Sequence, residues 1–184
     1  LRALLPRLAA RWLDVVAPGG FAVVNFGDIV SAKGIAGTDE PCEYPMALEY
    51  WPAFRAVGWL LWSRRIWCKP GARTGSLQCI GSNRAATNWE HMWTWKRPGP
   101  PIISEQLSGA FPSQLGWRDT SAEAPPDVAT TVHAASMPVA PARWMIAIHA
   151  RAAGVVHEPF TGTGTTIIAC EQLDRRACAV EVNP

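Results

Sequence analysis

The chain has 184 residues, of which 48% are hydrophobic and 17% charged, with a formal net charge of only +2; this suits a globular domain with a real core. No charge-poor run reaches the roughly 18 residues that a membrane-spanning helix needs, and no signal-peptide pattern opens the sequence, which argues against a membrane protein. The five Cys are odd in number and form no Cys-x-x-Cys pair, so the pattern predicts buried free thiols rather than a disulfide framework or a structural zinc site.

In chain order, Leu4, Leu5, Leu8, Trp12 and Val15 recur at helical spacing, which predicts a helix over 1–16 that Pro18-Gly19-Gly20 stops. The apolar run 21–26 is rich in β-formers and reads as a strand buried on both faces. Residues 27–45 read as a loop, 46–57 as a second helix ended by Gly58, 61–67 as a strand, 68–88 as a long polar loop and 89–96 as a further strand. The last two strands then form a hairpin with an expanded tip, and loops of that length are usually functional. The stretch 97–131 is Pro-, Ser- and Ala-rich and irregular, with Trp117 as an anchor. A helix over 138–153 tolerates Pro141 in its first turn. There follow a short strand over 154–160, a glycine loop over 161–165, a helix over 166–173 and a last strand over 177–182.

Charge is unevenly spread. Residues 61–100 hold seven basic side chains against one acid, Glu90, so this stretch is +6 and the remainder −4. The same stretch carries Trp62, Trp67, Trp89, Trp93 and Trp95. Basic residues interleaved with aromatics can neutralise phosphates and stack on bases. The pattern equally suits a Trp-lined core whose rim is solvated by Arg and Lys.

The strongest local signal is Val155-Val-His-Glu-Pro-Phe-Thr-Gly-Thr-Gly-Thr-Thr166, followed by Ala177-Cys-Ala-Val-Glu181. A buried strand enters a glycine turn and then a helix, and a second strand ends in an acid; in an open α/β sheet this places a ligand at the carboxyl ends of the strands. Gly162 and Gly164 allow a ligand to approach the backbone. The hydroxyls of Thr165 and Thr166 can cap the helix or meet a ligand carboxylate at its positive end. Glu181, 17 residues after Gly164, can accept hydrogen bonds from ribose hydroxyls. A Walker loop needs Lys where Thr165 stands. A dinucleotide site prefers a small residue where Ile167 stands, and its pyrophosphate would be repelled by Glu158. S-adenosylmethionine carries an ammonium and a sulfonium and no phosphate, so the charge pattern favours it.

Glu158-Pro-Phe-Thr-Gly-Thr-Gly-Thr-Thr166 resembles the Asp-Pro-Phe-x-Gly-Ser-Gly-Thr-Thr loop of the DNA amino-methyltransferases that modify adenine N6 or cytosine N4. Arg175-Arg176 and Ala179–Pro184 are similar to that family's continuation, His133-Ala-Ala-Ser-Met-Pro138 to its His-x-Ala-x-Phe-Pro motif, Trp89–Lys96 to its aromatic–Glu strand, and Val16–Asn25 to its Pro-Gly-Gly strand. Their order resembles the permuted class called β. Glu158 departs from the usual Asp, and Asp174 stands where Gly is common. The family's catalytic Asp/Asn/Ser-Pro-Pro-Tyr/Trp motif is absent: neither Pro100-Pro101 nor Pro125-Pro126 precedes an aromatic residue, and in this order the motif is expected upstream of Leu1.

The resemblance implies an incomplete Rossmann-like α/β methyltransferase domain over 1–184, lacking the central strand of the catalytic motif and a C-terminal part, with 98–131 as a target-recognition loop. It implies S-adenosylmethionine as cofactor, bound by Glu158, Pro159, Phe160, Gly162, Gly164, Thr165, Thr166, Glu181 and His133. DNA is the implied partner, met by Lys69, Arg73, Arg84, Trp89, Lys96 and Arg97, and a restriction endonuclease is a further one. The expected location is the cytoplasm, with the protein bacterial or phage-encoded. No catalytic residue is assigned, no metal is expected, and the isolated piece is expected to be inactive and unstable at its two unpartnered strand edges. Two other readings stay open: a nicotinamide-dependent oxidoreductase half-domain and a non-catalytic nucleic-acid-binding remnant.

Overall fold

Leu5 and Ala9 lie one helical turn apart and bury the same face of α1 (Leu4–Val15), with Trp12 and Leu13 packed beside them. That face covers a sheet, as the amphipathic spacing requires. The computed structural model of the chain describes residues 3–30, 43–68, 89–100, 102 and 137–182. It divides into two compact units, Leu1–Pro101 and Ile102–Pro184.

In the first unit, β1 (Phe21–Phe26) and β4 (Leu60–Cys68) flank β5 (Trp89–Lys96), and both pairings are antiparallel. Register runs from Phe21↔Lys96 to Phe26↔His91 on one side and from Leu60↔Lys96 to Cys68↔Trp89 on the other. Ala22, Val24, Phe26, Trp93 and Trp95 form one sheet face, which packs on α1 and, through Ala53 and Phe54, on α2 (Ala47–Ala56), with Trp59 from the turn after α2 in the same core. Phe54 stacks on Trp95 at 4.8 Å between ring centroids, and Phe26 on Tyr50 at 4.2 Å. Such pairs add about 0.5–1.5 kcal/mol each beyond area burial. The Trp59 indole N–H, fully buried, donates to the Ala9 carbonyl at 2.9 Å and ties α1 to the strand side.

Two local devices hold this unit's ends. Gly19 sits at φ +79°, and a Cβ there would lie 1.8 Å from the Pro100 carbonyl oxygen, so only glycine lets the two backbones cross. Beside it the Arg97 amide donates to Gly20 O at 2.8 Å, and the Arg97 guanidinium donates to the Leu13 and Val16 carbonyls at the end of α1. A cation on the last carbonyls of a helix satisfies orphan acceptors and complements the dipole. At the other end of β1, the Asp28 carboxylate accepts from the Met46 N–H at 2.8 Å and lies 3.7 Å from His91 Nε2. The carboxylate thereby secures the start of α2.

The second unit holds α3 (Val139–His149), β6 (Val155–Glu158), α4 (Thr165–Gln172) and β7 (Arg176–Ala179). β6 and β7 are parallel, in register from Val155↔Arg176 to Glu158↔Ala179, with α4 as their crossover. Its core is small: Ala142, Ile146, Ala169 and Cys170, with Val156 packed against them. The Arg175 guanidinium is buried and donates to the Leu173 and Ala150 carbonyls, holding the ends of both helices.

Most expected elements form within one to four residues of their predicted ends, and β5 matches its prediction at both. The differences have physical causes. The expected loop 27–45 contains a short antiparallel pair, β2 (Ile29–Val30) and β3 (Glu43–Tyr44). The strand predicted to be buried on both faces alternates instead, with Ala22, Val24 and Phe26 buried and Asn25 exposed, because α1 and α2 cover one face. α3 stops at His149, four residues early, and the turn that follows places Ala153 at φ +53°. Cys170 is buried as expected, but Cys178 is exposed. β7 ends at Ala179; the Val180 amide still donates to Glu158 O at 2.9 Å, while Val180 O accepts from both the amide and the hydroxyl of Thr161. Among the described residues no helix is long and apolar enough to cross a membrane.

Candidate functional site

The glycine loop is built by its strand, its turn and two carboxylates. β6 delivers Glu158 to the carboxyl edge of the parallel pair. The chain turns at Gly162 (φ +53°) and Gly164 (φ +82°), and Gly164 is the N-cap of α4 in the left-handed region. A Cβ at either glycine would meet nothing within 4 Å. The left-handed backbone therefore favours glycine at both positions, and the surface of the turn is open to a ligand.

Both acids fold onto this turn. Glu158 Oε1 accepts from the Phe160 amide and Oε2 from the Thr166 hydroxyl, each at 2.9 Å. Glu181 Oε2 accepts from the Gly162 amide at 2.6 Å, and Oε1 from the Val182 amide at 2.9 Å. The Thr161 hydroxyl and amide both donate to Val180 O, at 2.8 and 3.1 Å. The Thr165 hydroxyl donates to Met137 O at 3.0 Å. Two amides that a phosphate would otherwise engage are thus already held by carboxylates. The site is an anionic cradle beside an open turn, with the Phe160 ring 67% exposed at its lip. Beneath it the Cys170 thiol is pushed up from its ordinary value of 9.0, first by burial, with Arg175 opposing and Glu158 reinforcing.

The structure thus brings Glu158, Phe160, Gly162, Gly164, Thr165, Thr166 and Glu181 together, with Pro159 within the same turn. His133, Lys69, Arg73 and Arg84 lie outside the described residues, as does the recognition loop 98–131 except for 98–100 and 102. The three described DNA candidates separate. Trp89 begins β5 at the carboxyl end of β1, where its ring meets His91 edge-on at 4.9 Å. Lys96 ends the same eight-residue strand, about 23 Å away at ~3.3 Å per residue. Its Nζ lies 4.7 Å over the ring of Trp62, the extra residue of a bulge in β4. Arg97 is engaged with the end of α1. Trp67, Trp93 and Trp95 are buried, so most of the Trp of this stretch serve packing, while Trp62 is exposed.

Sequence reasoning missed Thr161 and Met137 as partners of the loop, and the Asp28–His91 pair. The only sequence signal for them is a hydroxyl, carbonyl or carboxylate near an element end, which many residues share.

The sequence profile of the family described as DNA methylase matches residues 4–184. The type II methyltransferase M.BglI of Bacillus subtilis is 26% identical over 137 residues, which is 72% of this chain and 38% of that protein. The chain therefore spans well under half the length of this curated relative. Among solved structures, TTHA0409 of Thermus thermophilus, complexed with S-adenosyl-L-methionine, superposes with a TM-score of 0.70 at 22% identity, covering 100% of this chain and 72% of the other. The PvuII cytosine-N4-specific DNA methyltransferase superposes with a TM-score of 0.74 at 18% identity, covering 100% of this chain and 66% of the other. These likenesses establish the α/β methyltransferase fold expected from the sequence. On the family match, which covers nearly every residue, the chain belongs to the DNA methylase family.

Proposed function

We propose that this chain is the cofactor-binding part of a site-specific DNA methyltransferase that moves a methyl group from S-adenosylmethionine to an exocyclic amine of adenine (N6) or cytosine (N4). The observation that carries the reading is the pairing of Glu158 and Glu181 with the amides of Phe160 and Gly162. A ligand with a cationic portion and ribose hydroxyls meets a fixed carboxylate for each there. A diphosphate beside Glu158 meets a like charge with two of its natural amide donors already taken, and such a contact at ~4 Å costs about 4 kcal/mol at an effective dielectric near 20. This disfavours the nicotinamide alternative.

The donor set fits the cofactor. Glu158 suits its cationic methionine portion, Glu181 its ribose hydroxyls, the open faces of Gly162 and Gly164 a close approach, and Phe160 an apolar flank; His133 joins this group through the motif resemblance alone. When bound, S-adenosylmethionine supplies an electrophilic sulfonium methyl. The chain's own residues bind and orient it, and holding a reactant in line is itself a large part of such a barrier. No residue here is assigned to the target base, and the 184 residues alone are expected not to transfer methyl groups.

DNA is the proposed substrate. Lys69, Arg73, Arg84 and Trp89 are its proposed contacts, because Trp89 sits at the carboxyl end of β1 and the three cations belong to the segment that leads to it. Lys96 and Arg97 contribute less, since the one covers Trp62 and the other caps α1. A restriction endonuclease partner and a cytoplasmic site of action accompany the reading by family resemblance.

Calorimetry of the full-length protein with S-adenosylhomocysteine and with NADH tests the cofactor. Binding of the first and not the second is expected, and the reverse sinks the proposal. Incubation with labelled methyl donor and DNA, followed by nucleoside analysis, tests the reaction. Label in N6-methyladenine or N4-methylcytosine is expected, and label in neither overturns the assigned substrate. Unchanged DNA affinity across a salt series after reversing Arg73 and Arg84 excludes those contacts.

A further inference from the structure

Two consecutive threonines begin α4, and their hydroxyls face protein rather than open space. A hydroxyl at a helix start ordinarily caps the helix or meets a ligand. Here the N-cap is Gly164, with no side-chain cap at all. Thr165 Oγ1 instead donates to Met137 O at 3.0 Å, with Thr163 Oγ1 3.5 Å away, and Thr166 Oγ1 donates to Glu158 Oε2 at 2.9 Å. Met137 immediately precedes Pro138, the N-cap of α3. Neighbouring helical side chains point about 100° apart, so this pair reaches two different elements at once.

We infer that Thr165 and Thr166 are positioning residues: Thr165 latches the entrance of α3 to the glycine loop, and Thr166 aims the Glu158 carboxylate. The inference rests on the methyl-donor reading of the site and deepens it. The Glu158 side chain has one more rotatable bond than the Asp that the motif usually carries, so fixing its carboxylate takes more than the Phe160 amide, which holds only Oε1. The Thr166 hydroxyl fixes the second oxygen, and a carboxylate holding one donor on each oxygen keeps acceptor capacity on both for a cation. Without it the carboxylate pivots about a single bond and its order must be restored on binding, which lowers affinity. The Thr165 bond occupies a carbonyl at the edge of α3 that otherwise has to find another donor. Both threonines therefore act on the ligand through other groups.

The test uses the full-length protein with Thr165→Val, Thr165→Ser, Thr166→Val and Thr166→Ser, and Thr166→Val combined with Glu158→Gln. S-adenosylhomocysteine affinity is read by calorimetry, and KM for the methyl donor is separated from kcat. Thr166→Val is expected to weaken binding about tenfold, as for loss of a hydrogen bond to a charged group. Thr166→Ser should restore it, and the valine should add little once Glu158 is already Gln. Thr165→Val is expected to raise KM several-fold at near-constant kcat, again with rescue by serine. Valine variants that bind like the parent overturn the inference, as does full additivity of Thr166→Val with Glu158→Gln, which assigns the Thr166 hydroxyl an independent ligand contact. Should a valine variant fail to fold, the alanine variant at that position is measured against the same outcomes. A parent that binds no S-adenosylhomocysteine removes the methyl-donor reading itself and this inference with it, an outcome distinct from unaffected variants of a parent that does bind.

Discussion

The two units are stabilised by different means. The first packs Trp59, Trp93, Trp95, Phe54 and Phe26 between two helices and a three-stranded antiparallel sheet. The second has a small core of Ala142, Ile146, Ala169 and Cys170, and its functional edge is held by hydrogen bonds to two carboxylates. Apolar area is additive and indifferent to direction, whereas the acid–amide bonds are directional and few. Damage to the first unit should appear as lost stability, and damage to the loop of the second as lost binding.

The largest break in that contrast comes from Trp59→Ala. Removing a fully buried indole, together with its bond to the Ala9 carbonyl, is expected to cost about 3–5 kcal/mol, read as a shift in denaturant midpoint. Gly19→Ala should follow at about 2 kcal/mol or more, since it combines φ +79° with a Cβ at 1.8 Å from Pro100 O. Glu158→Gln tests the other side of the comparison. It should weaken methyl-donor binding by about one to two decades and shift the thermal midpoint little, because the side chain sits at the open lip of the loop. Equal losses in both would erase the distinction between the units.

Arg97→Met is a smaller and more discriminating change. Loss of the guanidinium from the Leu13 and Val16 carbonyls should cost about 1–2 kcal/mol, with the salt dependence of DNA binding left as it was. A reduced salt slope would restore Arg97 to the DNA contacts. The mildest effect concerns Cys170. Its raised folded pKa disfavours the thiolate, so the stability the thiol contributes is complete below the unfolded value of 9.0 and is lost as pH rises through the higher folded value. At pH 8 the exposed Cys178 should alkylate well before Cys170, and equal rates would show that the small core opens readily.

What could be read beforehand follows from what is local. The strand–turn–helix of the glycine loop, its acid and its two glycines lie within a dozen residues, so their geometry follows from backbone rules. The antiparallel pairing of β4 with β5 was likewise legible from two β-rich runs joined by one long loop. The destination of a side chain was not. Trp62, at a bulge in the edge strand β4, is exposed, while Trp95 on the central strand is sealed by α2. Arg97 reads as one more cation of a basic stretch until the end of α1 is found beside it.

Residue order alone was enough to place a carboxylate before a side-chain-free turn and a second acid at the close of the following strand, because both are set at short range. What those acids hold became visible only in three dimensions. Glu181 reaches the Gly162 amide across 19 residues, and Thr165 reaches Met137 across 28. Contacts of that separation depend on how β7 and α3 are placed against the loop, which no local pattern of residues encodes.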